Sequence, residues 1–310
     1  MLRGATIICL APIDWTFNWQ LPQEVASAFA ASGNRVLFVE NTGVRRPLVR
    51  DAARLRARFT NWRRGVKTVR EGLDVFSPLL LPLPYSRLAG MLNGQIMRRA
   101  VRRWLGRNRS KTLIVITFLP TPLARNLIRA LRPALVVYYC ADRIAQSSPG
   151  ARRVQSSERE FLAEAGLVLV TSPGLQAMAE EQAARVEFLP CGVRASDFER
   201  AARERTPESG SAMFRDLSRP IVGFAGTLRN ELDLAMLAEM AELAPDINFV
   251  FAGPALADLS RLAALPNVTI IGALPHPEVI RHVVHFDAGM LPYVQTVFTA
   301  DVMPAKLKEY

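Results

Sequence analysis

The chain has 310 residues, about twice the ~150 of a typical domain, and half of them are hydrophobic while 22% are charged. That predicts two buried cores and excludes a disordered chain, and the unpatterned 18 Gly and 21 Pro exclude collagen-like and solenoid folds. The net charge of +11 is uneven: residues 1–110 carry +13 and the remainder −2, so the positive field belongs to the first third.

The N-terminal run MLRGATIICLAPIDW is too short for a secretory signal core and ends in Pro12 and Asp14 rather than small residues. It reads as a first strand over residues 5–10, followed by a helix over 22–32 that stops at Gly33, and a second strand over 35–39. This is one βαβ unit, and more follow. Further strands are expected over residues 73–76, 112–117, 134–139, 167–171 and 186–189. Two stretches hold most of the arginines, residues 45–70 (RRPLVRDAARLRARFTNWRRGVKTVR) and 98–109 (RRAVRRWLGRNR). Both mix arginine with Leu, Phe or Trp at partly helical spacing, the pattern of helices lying on an anionic membrane or lipid phosphate. An ordinary solvated Arg-rich surface has the same composition. Nucleic acid would accept the charge too, but no helix-turn-helix, zinc-finger or RRM signature accompanies it, and no nucleic-acid partner is expected. No run of about 18 apolar residues lacks a charge, so no segment is expected to cross a membrane.

A polar stretch, RAARERTPESGSAMFRDLS over residues 200–218, interrupts the alternation, which divides the chain into domains 1–198 and 199–310. The pattern then resumes with strands over 220–225, 247–251, 268–271 and 286–291, and helices over 232–243 and 277–284. Short apolar strands alternating with amphipathic helices predict an α/β chain of two Rossmann-like doubly wound domains. Their ligands are expected at the carboxyl ends of strands, in the cleft between domains. The last residues, 306–310, begin an amphipathic helix with no stop signal, so the second domain is expected to be incomplete.

Three cysteines, Cys9, Cys140 and Cys191, form no CxxC pair, which argues against a disulfide framework or zinc site and fits a reducing compartment. All three histidines, His276, His282 and His285, lie in the second half, so the first domain offers no imidazole base. His282 and His285 share a helix face but have no carboxylate in register, and no metal site is expected. Gly223-Phe224-Ala225-Gly226-Thr227 joins a strand to a helix. Gly226 would let a backbone approach a phosphate closely, or would serve only the geometry of the turn. In Thr299-Ala300-Asp301-Val302-Met303-Pro304-Ala305-Lys306, Pro304 suits the first helical position, so free amides are expected to face the cleft. Lys306 in that first turn opposes the helix dipole unless a bound anion reverses the sign.

The segments PNVTIIG (266–272), FDAGMLPY (286–293) and PAKLKEY (304–310) together resemble the donor domain of GT-B glycosyltransferases, most nearly the family-4 retaining enzymes that build bacterial surface polysaccharides. Pro190-Cys191-Gly192-Val193, with Phe198 after it, resembles the crossover into that domain. The likeness covers most of the chain and is strongest over residues 186–310. It implies an acid, seven residues and a glutamate at the donor site: Asp301, replacing the usual Glu, near the transferred sugar, and Glu309 on the ribose hydroxyls. A carboxylate can accept two hydrogen bonds from a vicinal diol at charge-assisted strength. Tyr138-Tyr139-Cys140-Ala141-Asp142 resembles another family segment and would place Asp142 near the sugar; capping of the next segment is its other reading.

Several residues depart from the family. Thr227 stands where an arginine clamp is usual and Asp233 near the usual lysine, which leaves Arg229 and Lys306 as substitutes beside Gly226. The usual Gly-rich loop is replaced by Asp14-Trp15-Thr16-Phe17-Asn18-Trp19-Gln20, whose aromatics would line an acceptor cleft or pack the domain interface. The resemblance implies a cytoplasmic enzyme, peripheral at the inner membrane face. It would move a sugar from a nucleotide diphosphate donor to a lipid-linked or polysaccharide acceptor with retention and without metal or cofactor. A non-catalytic peripheral membrane protein with a degenerate GT-B fold and a sugar-nucleotide epimerase are the alternatives.

Overall fold

The computed structural model describes residues 2–16, 19–40, 60, 62–63, 65–81, 86–106, 112–147, 151–206 and 212–310. The chain divides into two compact units, Met1–Pro190 and Cys191–Tyr310.

In the first unit, short aliphatic runs form β1 (Thr6–Leu10), β2 (Arg35–Val39), β4 (Leu73–Phe76), β5 (Leu113–Thr117), β6 (Leu135–Cys140), β7 (Leu167–Val170) and β8 (Val186–Phe188). These strands pair in parallel, and with β3 (Val66–Arg70) they make one sheet in the order β3-β4-β2-β1-β5-β6-β7-β8. The central strands are apolar on both faces because helices cover both. Along β1, Ile8 and Leu10 join a core with Leu37, Met97, Val115 and Tyr138, while Ile7 and Cys9 face the other way toward Phe38, Ile116 and Tyr139. The covering helices are α1 (Leu21–Ala31), α2 (Arg87–Gly106), α3 (Pro122–Leu131), α4 (Gln155–Glu164) and α5 (Pro173–Glu180). Their starts are readable in sequence: Thr121 and Ser172 accept from the amides of Ala124 and Leu175, each with proline in the first helical turn.

β3 corrects the helical reading for residues 66–70 of the first basic stretch, whereas Thr60, Trp62 and Arg63 are helical. Val66, Thr68 and Val69 favour an extended chain, and the segment folds back antiparallel on β4 as an exposed edge strand. Residues 45–59, 61 and 64 of that stretch, and 107–109 of the second, lie outside the described residues, as do Phe17 and Asn18 of the aromatic loop. Trp15 packs within its own unit, edge-on to Phe38 at 5.0 Å and to Trp19 at 5.5 Å between ring centroids. Its amide donates to the Glu40 carboxylate at 2.6 Å.

The second unit contains α6 (Ala195–Arg203), β9 (Ile221–Ala225), α7 (Leu234–Leu243), β10 (Asn248–Ala252), α8 (Ser260–Ala263), β11 (Val268–Gly272), α9 (His276–Val283), β12 (Ala288–Gly289) and α10 (Lys306–Glu309). Its parallel sheet runs β11-β10-β9-β12, so the direction of strand addition reverses between β9 and β12. Such a switch point opens a crevice at the carboxyl ends of the two strands. α7 starts two residues later than its apolar pattern predicts, because Asp233 takes the cap and accepts from the Met236 amide at 3.0 Å. Leu232 instead bridges to Tyr293. The expected strand over 286–291 is assigned only at Ala288–Gly289, although the amides of Asp287 and Met290 extend its pairing to β9.

Candidate functional site

The switch point of the second unit gathers several of the residues singled out in the sequence. β9 and β10 end on Gly226 and Gly253, and backbone lies against backbone there: the Gly226 amide donates to Ala252 at 2.7 Å, and the Gly253 amide to Gly272 at 2.7 Å. A side chain on Gly253, whose φ is +149°, would collide with the Gly226 carbonyl. The space that a side chain on Gly226 would need is filled by the Lys306 side chain, whose Nζ would lie 2.8 Å from such a Cβ. Gly226 thus serves close approach, and what approaches is the lysine.

Lys306 sits with its ammonium 5.6 Å from the centre of the Phe224 ring, in cation–π range. Burial pulls its pKa below the ordinary lysine value, Glu309 opposes that shift, and Arg229 adds to it. Glu309 lies one helical turn further on. Burial raises its carboxyl pKa, while Lys306 and His276 pull it back. Opposite charges are therefore held half-dry at the strand ends, where each is worth more than in water. The last residue completes the group: the Tyr310 hydroxyl accepts from the Ala225 amide at 2.9 Å, and its ring covers Gly289. Burial pushes the Tyr310 pKa up. His276 escapes a motif search, because it comes in through the fold at the start of α9, and Tyr310, though within the PAKLKEY segment, takes no role from it.

One expectation about this turn needs correction. Pro304 precedes the helix rather than opening it, since Ala305 is the cap of α10 and Lys306 its first residue. The amides of Leu307, Lys308, Glu309 and Tyr310 already donate to Pro304, Ala305, Ala305 and Lys306. These four are engaged within the turn itself, and the Lys306 cation stands at its start beside Gly226.

The other predicted residues are placed as follows. Arg229 is exposed, just beyond the bridge at Leu228, with Nε 3.6 Å from Glu231. Thr227 is half-buried between Gly226 and that bridge. Asp301 closes a short 3-10 turn, Thr299–Asp301, which Thr299 pins by accepting from the Thr296 amide at 2.8 Å and donating to the Val294 carbonyl. Asp142 belongs to the first unit, two residues beyond β6. Arg143, not Asp142, holds the cap position of the turn that follows, and the Asp142 carbonyl accepts from the Ile144 amide at 2.8 Å. Beside Asp142 the interior is sealed: Tyr138 donates to the buried Glu158 at 2.7 Å, burial raises the pKa of Glu158, and the Cys140 thiol is pushed up to about 12.

His282 and His285 serve packing. The His282 Nδ1 donates to the Glu278 carbonyl at 2.7 Å, and Phe214 stacks on His285 at 4.6 Å. Among the described residues no group of three or more His, Cys, Asp or Glu is placed to hold a metal ion. No described helix is long and apolar enough to cross a membrane.

Two Rossmann-like units built on parallel sheets define the GT-B fold, and the comparisons with known proteins bear on it directly. Trehalose 6-phosphate synthase from Burkholderia multivorans superposes with a TM-score of 0.62 at 12% identity, covering 100% of this chain and 81% of that one. HepE from Anabaena, solved with UDP and glucose, gives 0.58 at 13% identity, covering 92% and 73%. At these identities the likeness shows the fold: the chain has the GT-B architecture of glycosyltransferases.

In sequence, the chain is 27% identical over 192 residues to the Bacillus subtilis protein named "Putative teichuronic acid biosynthesis glycosyltransferase TuaH", which is 56% of this chain and 47% of that protein. The chain thus spans about half the length of the curated relative it matches. No protein-family model matches the chain.

Proposed function

We propose that the chain is a glycosyltransferase that moves a sugar from a nucleoside diphosphate donor to a lipid-linked or polysaccharide acceptor with retention, working in the cytoplasm at the inner face of the membrane. The observation that carries this reading is the Lys306–Glu309 pair at the β9/β12 switch point, one cation and one carboxylate side by side where a doubly wound sheet takes a nucleotide. The HepE structure with UDP and glucose and the name of TuaH support the choice of a nucleotide sugar.

In this reading Lys306 meets the diphosphate over Gly226, and Arg229 turns from Glu231 to join it, with Thr227 beside them. As the glycosidic bond breaks, negative charge builds on the departing diphosphate oxygen, and a preorganised cation lowers that barrier. Two cations supply the compensation that a metal would otherwise bring. Glu309 accepts from the two ribose hydroxyls, Asp301 is assigned to the donor sugar, and Asp142 is the first unit's acid for the same sugar.

Titration of the chain with UDP and GDP tests the reading. Glu309→Ala should weaken binding about tenfold, the scale of one charge-assisted interaction. An unchanged affinity would overturn the assignment. A non-catalytic scaffold is the second reading, favoured by the exposure of Arg229 and its pairing with Glu231; it predicts no saturable binding even at millimolar nucleotide.

A further inference from the structure

The outward face of α2 is divided lengthwise in an unusual way. Its inner face, Ala89, Asn93, Met97, Val101 and Trp104, is buried, and Trp104 donates its indole N–H to Asp74 at 2.7 Å. Those contacts fix which side points out. On that side the first turns show Leu88, Met91 and Leu92 at 74%, 64% and 50% exposure, and the last turns show Arg98, Arg99, Arg102 and Arg103. The helix has no acidic residue. Between Val75 and Ala141 the chain carries eleven Lys and Arg and no Asp or Glu at all.

Exposed leucines and methionine clustered on one helix face are costly in water and mark a docking surface. The adjoining arginines say what docks. A second copy of the chain would set arginines against arginines, or against the leucines, whichever way the helices ran. A surface that is apolar in depth and anionic at its boundary satisfies both ends at once.

We propose that this face of α2 seats the protein on an anionic lipid bilayer. Leu88, Met91 and Leu92 enter the acyl boundary. Arg98, Arg99, Arg102 and Arg103 rest on lipid phosphates, their aliphatic stems lying along the interface. The inference rests on the proposed membrane location but not on sugar transfer: vesicle binding and nucleotide binding are read separately, so either can fail alone.

The test is co-sedimentation of the whole chain with vesicles of equal parts phosphatidylglycerol and phosphatidylcholine, and with phosphatidylcholine alone, at low salt and at about 0.1 M salt, where exposed charges are screened beyond about 10 Å. Wild type should pellet with the mixed vesicles and at least tenfold less with the neutral ones. Replacing the four arginines by Gln should cut binding to mixed vesicles at least tenfold at low salt. Leu88→Ser with Met91→Ser and Leu92→Ser should cut it at both salt concentrations. Should that triple variant unfold, Leu88→Glu alone serves, because an acid in the first helical turn suits the helix dipole yet opposes the lipid charge. Equal binding of wild type to both vesicles, or binding undiminished in either set of variants, overturns the proposal. So does a wild-type dimer that the leucine variants convert to monomer without any effect on vesicles.

Discussion

The two units treat ionisable side chains in opposite ways. In the first, Cys9 and Cys140 are each pushed up to about 12 by burial, and Glu158 is raised by burial while bonded to Tyr138. These groups lie deep and are tuned toward neutrality. In the second, Lys306 and Glu309 have opposite charge, are only partly covered and sit at the open ends of strands. Burial alone therefore does not mark a site here; unlike charges held half-dry at a switch point do. The charge of the first unit is instead spent on its surface, in the arginines of α2 and their neighbours.

The sharpest way to break that contrast is to disturb the floor of the second site. Gly253→Ala forces a methyl against the Gly226 carbonyl at a strained φ, with no flexible side chain to yield. We expect the second unit to lose about 3 kcal/mol or more, seen as a lower melting temperature; an unchanged melt would mean the two turns do not touch. The smallest effect belongs to the first unit. Because burial raises the Glu158 pKa, the stability contributed by its protonated form is full below the ordinary glutamate value of about 4.3 and is lost as pH rises through the raised value. Glu158→Gln keeps an acceptor for Tyr138 without the charge. It should therefore melt a few degrees above wild type at pH 8, on the scale of about 1 kcal/mol, with the gap closing toward pH 4. A variant less stable than wild type at pH 8 would show that the ionised carboxylate is itself stabilising.

Much of the architecture was legible because both faces of each sheet are covered, so buried strands appear as plain apolar runs. β2 and β4 match their expected bounds, and β1 starts one residue late. The exceptions have physical causes. β3 is an exposed edge with charged residues, so its extended character comes from pairing with β4 rather than from apolar content. α7 begins where Asp233 can cap it, not where its apolar residues begin. Of the candidate site, the spacing of Asp301 and Glu309 and the placement of Lys306 against a helix dipole could be read from sequence. The seat of Tyr310 on Ala225 and the approach of His276 to Glu309 could not, because each depends on distant segments closing on one another.

The central claim is that Lys306 over Gly226 receives a nucleoside diphosphate. Calorimetric titration with UDP of wild type and Lys306→Gln tests it most directly. Loss of a charge-assisted contact worth about 1.5–3 kcal/mol predicts a Kd raised roughly 10- to 150-fold. Equal affinity for UDP in the two proteins, or no saturable binding by wild type, would contradict it.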